Sequence, residues 1–142
     1  YLAARGLRTM AVRLKAHEAA ALELAHWLEQ RPEVTSVLHP ALPSCPGHAI
    51  WKRDFTGSSG LFSFVLKGDW DQAAKFVDAL DLFGIGYSWG GFESLVVPFV
   101  PHRTATTWTS KGICLRFHVG LEHPDDLLKD LEAGFERLNA HA

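Results

Sequence analysis

Apolar residues, together with one histidine, recur at alternating steps of three and four positions near the start of the chain. They are Leu7, Met10, Leu14, His17, Ala21, Leu24 and Leu28. This spacing lines them along one stripe of an α-helix. Proline disfavours the helical conformation in the residue before it, so the helix should end at Arg31, ahead of Pro32. The pattern predicts one long helix whose stripe belongs to the core.

Later segments have the patterns of strands and of two further helices. The strand patterns cover residues 34–38, 61–66, 95–97 and 113–119. Asp69 and Gln72 form a capping-box pattern that opens the second helix, and Pro124 suits the first turn of the third. Strands joined by short connections favour antiparallel pairing. We predict an α+β sandwich: a four-stranded, mainly antiparallel sheet with helices packed on one face.

Length and composition indicate one ordinary globular domain over residues 1–142. The chain is 47% hydrophobic and 21% charged, with a formal net charge of -2. It has no cluster of basic residues and no apolar run near the roughly 20 residues that span a bilayer, so neither nucleic acid nor membrane is an expected partner. The chain opens at Tyr1 without a methionine or a signal sequence, which we interpret as an interior cut.

The cysteines and histidines do not form a recognisable metal or disulfide pattern. Cys45 lies in a proline-flanked loop and Cys114 in a strand pattern. This spacing matches neither a disulfide framework nor a zinc motif, so we predict no metal site and a cytoplasmic location. His17 lies on the apolar helix stripe, where a hydrogen-bonded core or interface histidine is the favoured interpretation.

The last strand pattern carries the most informative polar residue. Ile113, Leu115, Phe117 and Val119 alternate onto one face. Cys114, Arg116 and His118 therefore occupy the other face. Arg116 could be a solvated arginine on an open sheet face. However, its neighbours are not the Lys, Glu and Thr typical of a wet face, and its fork of donors suits a carboxylate.

A glycine-rich segment, residues 84–95, is the second candidate. It interleaves four glycines with Tyr87, Ser88 and Trp89. Glycine lets the backbone approach a ligand closely, so the segment could be a binding loop for a small anion, or only a tight turn before a strand. The segment 56–60 resembles a phosphate cradle, but it lacks the lysine and following helix of such loops, and we interpret it as a turn. No G-x-S-x-G pattern marks a nucleophilic serine.

Several motifs together resemble one enzyme family. They are Arg5 to Thr9 with His17, Trp51 to Phe64, Tyr87 to Leu95, and Leu115 to Glu122. In this combination the chain resembles the carboxy-terminal third of the cystathionine-metabolising, fold-type-I enzymes that depend on pyridoxal 5'-phosphate (PLP). The sequence Tyr87-Ser88-Trp89 resembles the bacterial beta-lyase branch, whereas gamma-synthases and gamma-lyases typically have Glu-Ser-Leu there. Residues 101–111 match the family poorly, and no function is transferred onto them.

The resemblance implies a reaction and a set of site residues. The reaction is β-elimination of L-cystathionine to homocysteine, pyruvate and ammonia. By resemblance, Arg116 binds the substrate α-carboxylate, Ser88 lies beside the cofactor lysine, and Trp89 and Tyr87 shape the substrate pocket. PLP and its Schiff-base lysine belong to an upstream domain, so we expect no catalytic and no cofactor-binding residue within this chain. The chain alone should be inactive, and the full-length enzyme should be a homotetramer.

Two alternatives remain open at the level of sequence. The first is a sibling reaction, that of a cystathionine gamma-lyase, a gamma-synthase or a methionine gamma-lyase, from which Tyr87 and Trp89 should distinguish this chain. The second is a non-catalytic binding module that keeps the fold, which the presence or absence of a large cofactor domain upstream of Tyr1 would decide.

Overall fold

The computed structural model describes residues 1–140. Within these residues, five helices and five strands follow one another. In order they are α1 (Leu2–Arg8), α2 (Met10–Glu29), β1 (Val34–Leu38), α3 (His48–Asp54), β2 (Leu61–Leu66), α4 (Trp70–Asp78), β3 (Gly84–Ile85), β4 (Leu95–Phe99), β5 (Ile113–His118) and α5 (Pro124–Ala140). The capping box at Asp69 and the start of the last helix at Pro124 are confirmed.

The strands form one sheet in the order β1-β2-β5-β4-β3. All neighbours are antiparallel except β3 and β4, which are parallel. β5 therefore has a paired strand on each side: Arg116 lies opposite Ser63 of β2 and Val97 of β4. The predicted α+β class is confirmed, and the central strand is the one that carries the candidate arginine.

The predicted count of four strands is wrong by one. β3 has only two residues, and they open the glycine-rich segment that we expected to be a binding loop or a tight turn. Gly84 N donates to Ser94 O at 3.1 Å, which draws the segment alongside β4. Two residues are too few to show alternation, so no periodic signal marks this strand. α3 was missed for a similar reason, because it has seven residues and follows a proline-rich stretch.

One hydrophobic core lies between the sheet and the helices α2, α4 and α5. Four fully buried phenylalanines form its centre. They are Phe64, Phe76, Phe117 and Phe135. Phe64 stacks on Phe117 with ring centroids 5.3 Å apart, and Phe76 meets Phe135 at 4.6 Å, so strand and helix side chains interdigitate. Each such ring removes a large apolar area from water, which is the main favourable contribution to folding.

The helix stripe is only partly in this core. Leu24 and Leu28 are fully buried, but Leu7, Met10 and Leu14 are exposed by 66%, 44% and 44%. The predicted single helix is also two helices, separated at Thr9. The prediction that the whole stripe joins the core is therefore wrong for its first half, because the sheet lies beneath α2 only from about His17 onward. Among residues 1–140 no helix is both long enough and apolar enough to cross a membrane.

Asp130 ties α5 to the turn that precedes β3. Its side chain is buried, and its two carboxylate oxygens accept hydrogen bonds from the backbone N–H groups of Asp81, Leu82 and Phe83 at 2.8, 2.9 and 3.4 Å. Buried N–H groups that lose their acceptor carry the full cost of desolvation. This carboxylate therefore sets the direction in which the chain enters the glycine-rich segment.

Replacing Asp130 by alanine should destabilise the chain by about 2–4 kcal/mol, because three backbone donors lose a charged acceptor. Glu132 is exposed on the same helix, and Glu132→Ala should change the free energy of unfolding by less than about 0.5 kcal/mol. Urea unfolding of both variants measures the difference. Equal midpoints for the two would show that the Asp130 contacts do not hold the turn.

Candidate substrate-binding site

The candidate site lies on the sheet face that the helices do not cover. Leu115 and Phe117 point into the core, and Arg116 between them points away from it. The side chain of Arg116 is half-buried, and its Nη2 donates a hydrogen bond to the carbonyl oxygen of Tyr87 at 2.9 Å. Its guanidinium carbon also lies 5.9 Å from the centroid of the Tyr87 ring. The predicted alternation is confirmed, and the arginine meets the glycine-rich segment.

The other predicted site residues lie on the segment that Arg116 contacts. Tyr87 and Trp89 are exposed by 76% and 56%, and Ser88 is exposed as well. The structure thus brings Tyr87 together with Arg116. Ser88 and Trp89 lie on the same loop, and no hydrogen bond within residues 1–140 joins either of them to Arg116. Because one guanidinium carries five N–H donors, the bond to Tyr87 leaves donors for a ligand.

His118 holds the same loop two residues further along β5. The Nε2 atom of this buried imidazole lies 3.2 Å from Gly90 N, which donates to it, and 3.2 Å from Gly91 O. Burial lowers the pKa of His118, so the ring is neutral near pH 7. Gly90 has φ of +95°, a conformation that favours glycine. A strand side chain and a loop backbone therefore meet directly at this turn.

His17 is a buried histidine beneath the end of β5. Its Nδ1 lies 2.8 Å from Val119 O and 3.0 Å from Gly120 O. Both partners are carbonyl oxygens, so Nδ1 is the protonated nitrogen. The prediction of a hydrogen-bonded core histidine is confirmed, and its ring centroid lies 5.1 Å from that of His118.

Ser94 and Glu122 fix the far end of the loop, and sequence reasoning gave neither a role there. Glu122 accepts from Ser94 N at 2.9 Å and from Ser94 Oγ at 2.8 Å, and that same Oγ accepts from Gly120 N at 2.9 Å. A Cβ on Gly120 would lie 2.3 Å from Phe92 O, so only glycine fits there. The contacting residues are more than 20 positions apart, and no local pattern in the sequence could have paired them.

The segment 56–60 serves the chain itself. Ser58 donates its backbone N–H and its hydroxyl to one oxygen of Glu18, at 2.6 and 3.1 Å. A carboxylate of α2 thus occupies donors that a phosphate cradle would offer to a ligand. The segment is an irregular connection into β2, in keeping with the preference for a structural role over a phosphate site.

The cysteines are free thiols, and burial raises the pKa of Cys114 to about 11. Since the thiolate is the reactive form, Cys114 is poorly suited to nucleophilic chemistry at neutral pH. Burial also raises the pKa of Cys45. Across residues 1–140, no group of three or more His, Cys, Asp or Glu side chains is arranged to hold a metal ion.

Comparisons with known proteins assign the chain to a family. A family model described as Cys/Met metabolism PLP-dependent enzyme matches residues 1–136. The chain is 49% identical to a cystathionine beta-lyase of Haemophilus influenzae, over 97% of this chain and 37% of that protein. It is 43% identical to an L-alanine/L-glutamate racemase of Wolbachia pipientis, over 97% and 36%. A cystathionine gamma synthase from Xanthomonas oryzae, solved with cystathionine, matches with a TM-score of 0.83 at 36% identity, over 97% and 38%.

The chain therefore belongs to the Cys/Met metabolism family of PLP-dependent enzymes, as its motifs predicted. Both a beta-lyase and a gamma-synthase are found among its relatives. Membership in the family therefore indicates PLP dependence and sulfur amino-acid metabolism, and it does not specify one reaction. The chain spans between 36 and 38% of the length of these three proteins.

Proposed function

We propose that this chain forms the substrate-carboxylate wall of a PLP-dependent carbon-sulfur lyase, and that the whole enzyme splits L-cystathionine by β-elimination. In that reaction the bond between Cβ and sulfur breaks and the sulfur leaves as the thiol of homocysteine. The remaining three-carbon unit takes up one water and becomes pyruvate and ammonia. The observation that carries the proposal is Arg116, which lies on the open sheet face against the Tyr87 loop.

Arg116 is suited to the one group that amino-acid substrates share. A planar guanidinium binds a carboxylate through two parallel hydrogen bonds, which fixes the orientation of the substrate as well as its position. The Tyr87 carbonyl accepts from Nη2 and limits the rotation of the guanidinium. The racemase relative acts on alanine and glutamate by its name and the lyases on sulfur amino acids, so an α-carboxylate is common to them all.

The loop beside Arg116 supplies the surface that would contact the rest of the substrate. Tyr87, Trp89 and Phe92 expose their rings within six residues of one another, on a loop whose backbone is anchored by His118 and Glu122. Aromatic rings held in this way exclude water around a bound ligand and strengthen the ionic contact at Arg116. We propose that Tyr87, Trp89 and Ser88 contribute to the pocket, as the beta-lyase motif implies.

We propose that this chain does not itself anchor PLP. When bound, PLP stabilises negative charge at the substrate carbon next to the carboxylate. Anchoring it requires a lysine whose amine is activated by desolvation or by a neighbouring cation. The lysines of this chain are all exposed: Lys15, Lys52, Lys67, Lys75, Lys111 and Lys129. We therefore propose that residues 1–142 are inactive alone and that an upstream domain holds the cofactor and the reactive lysine.

The remaining features of the whole enzyme are proposals of the same kind. We propose that the full-length protein is a homotetramer, as the family resemblance implies. We propose a cytoplasmic location, which suits the free thiols of Cys45 and Cys114. A sibling gamma-lyase or gamma-synthase reaction is the alternative within the family, and the similarity of the chain to a gamma-synthase structure supports it.

The products that the full-length enzyme forms from cystathionine test the reaction directly. β-Elimination yields pyruvate and homocysteine, whereas γ-elimination yields 2-oxobutyrate and cysteine. We expect pyruvate to be the principal keto acid. Predominant 2-oxobutyrate would assign the enzyme to the gamma-lyase branch. If no keto acid formed, the lyase proposal would be wrong, and a gamma-synthase reaction or a non-catalytic binding role would remain.

Arg116→Lys and Arg116→Ala in the full-length enzyme test the carboxylate site. A bidentate charged hydrogen-bond pair contributes about 2–5 kcal/mol, so kcat/KM should fall on the order of 30-fold to several-thousand-fold. Lysine keeps the charge but loses the paired geometry, so both variants should be impaired to a similar degree. Arg53, which pairs with Asp54 on exposed α3, provides the control Arg53→Lys, with little change expected. If either Arg116 variant keeps kcat/KM within about threefold of the parent, Arg116 does not bind the substrate carboxylate.

A further inference from the structure

Two neighbouring buried histidines have nitrogens that the proposed function does not use. His17 is 2% exposed and His118 is 3% exposed. Within the described residues, His17 Nε2 and His118 Nδ1 are buried and have no hydrogen-bond partner. The two ring centroids are 5.1 Å apart, with the planes inclined by 52°. Buried polar atoms without partners are costly, so a pair of them beside a functional loop calls for an explanation.

The backbone contacts of His17 determine where that ring carries its proton, whereas His118 Nε2 lies 3.2 Å from both a donor, Gly90 N, and an acceptor, Gly91 O. His17 carries a proton on Nδ1, because that nitrogen faces two carbonyl oxygens. If His118 Nε2 accepts the hydrogen bond from Gly90, the proton of the neutral ring lies on Nδ1. Within the described residues no hydrogen bond joins the two rings, so they contact each other through packing.

Gly60 closes the space around this pair. A Cβ on Gly60 would lie 3.2 Å from His17 Cβ, 3.3 Å from His118 Nδ1 and 2.5 Å from Val119 O. Backbone therefore packs directly on both rings. His17 is fixed to Val119 and Gly120, the two residues that follow β5, so its position limits where the ring of His118 can lie.

We propose that His118, kept in its orientation by His17, is a positioning residue that holds the Gly90 turn so that Tyr87 and Trp89 face the substrate. Two side chains of β5 then contact the backbone of the loop: Arg116 donates to the Tyr87 carbonyl, and His118 accepts from the Gly90 N–H. Trp89 lies between those two loop residues and adjoins Gly90. His118 does not touch the substrate, and it acts through the backbone of the loop. This inference rests on the proposed function only in taking the loop as a wall of the substrate site.

The test compares two replacements of His118 in the full-length enzyme. His118→Gln keeps an oxygen acceptor at about the reach of Nε2. His118→Phe keeps the ring shape, and it removes both the acceptor and the unpartnered buried Nδ1. A merely structural role favours the better-packed phenylalanine, whereas the positioning role favours glutamine. Two readouts are needed: kcat/KM with whichever sulfur amino acid the enzyme cleaves, and the thermal midpoint Tm.

We expect His118→Phe to lower kcat/KM by about tenfold or more. His118→Gln should retain at least about threefold more activity than His118→Phe. The Tm of the Phe variant should be equal to or above that of the Gln variant. His39 is an equally buried histidine that contacts Phe62 and the Ala41 backbone, away from the loop. His39→Phe should leave kcat/KM within about threefold of the parent.

Any other order overturns the inference: a Phe variant as active as the Gln variant, or a Phe variant within about threefold of the parent. The result is separable from that of the proposed function, because the comparison uses ratios between variants on the substrate that the parent cleaves. A parent that releases 2-oxobutyrate would change the reaction and leave the His118 comparison intact. An Arg116 variant with full activity would refute the carboxylate site proposed for Arg116. The relative activities of the two His118 variants would still show whether activity depends on the contact of His118 with the loop.

Discussion

The alternation of side chains along β5 is the constraint on which the rest of the structure depends. This strand lies in the middle of the sheet and pairs with β2 over Ile113–His118 and with β4 over Cys114–His118, so its register cannot slip without exposing its apolar face. Leu115 and Phe117 are fully buried on the helix side. Their burial fixes Arg116 and His118 on the other side, where both contact the glycine-rich loop. Packing in the core thus determines the geometry of the site.

The loop itself is held mainly by contacts to its backbone, together with the side chain of Ser94 at its end. Asp130 orients the turn before it, Arg116 and His118 bind its middle, and Glu122 with Ser94 closes its end. The aromatic side chains therefore need no packing of their own to stay in place, and they remain exposed for contact with another surface or a ligand. Such a division between rigid backbone and free side chains is what precise positioning of a substrate requires.

Much of the fold could be predicted from the sequence because its strongest signals are periodic. The alternation of β5, the capping box at Asp69 and the helix start at Pro124 are local patterns with local causes, and each is found in the structure. Family membership was likewise readable from motifs spread over the chain. The outward direction of Arg116 follows from the strand pattern, and the Tyr87 segment beside it was identified by its glycines and its motif.

What could not be predicted depends on contacts between distant segments. β3 depends on hydrogen bonds from Gly84 and Gly86 to Ser94 and Val96, and the exposure of Leu7 and Leu14 reflects how far the sheet extends beneath α2. Helical periodicity identifies the apolar face of a helix, but it does not show whether other elements pack on that face. The pairing of Ser94 with Glu122 and the contact of His118 with Gly90 join residues more than 25 positions apart, so neither leaves a pattern in the sequence.

A crystal structure of the full-length enzyme with an unreactive cystathionine analogue tests the central claim most directly, because it shows which group binds the α-carboxylate. The account predicts two nitrogens of the Arg116 guanidinium at about 2.7–2.9 Å from the two carboxylate oxygens, with the Tyr87 carbonyl still in contact with the arginine. A carboxylate held by other residues, with Arg116 more than about 4 Å away, would contradict it.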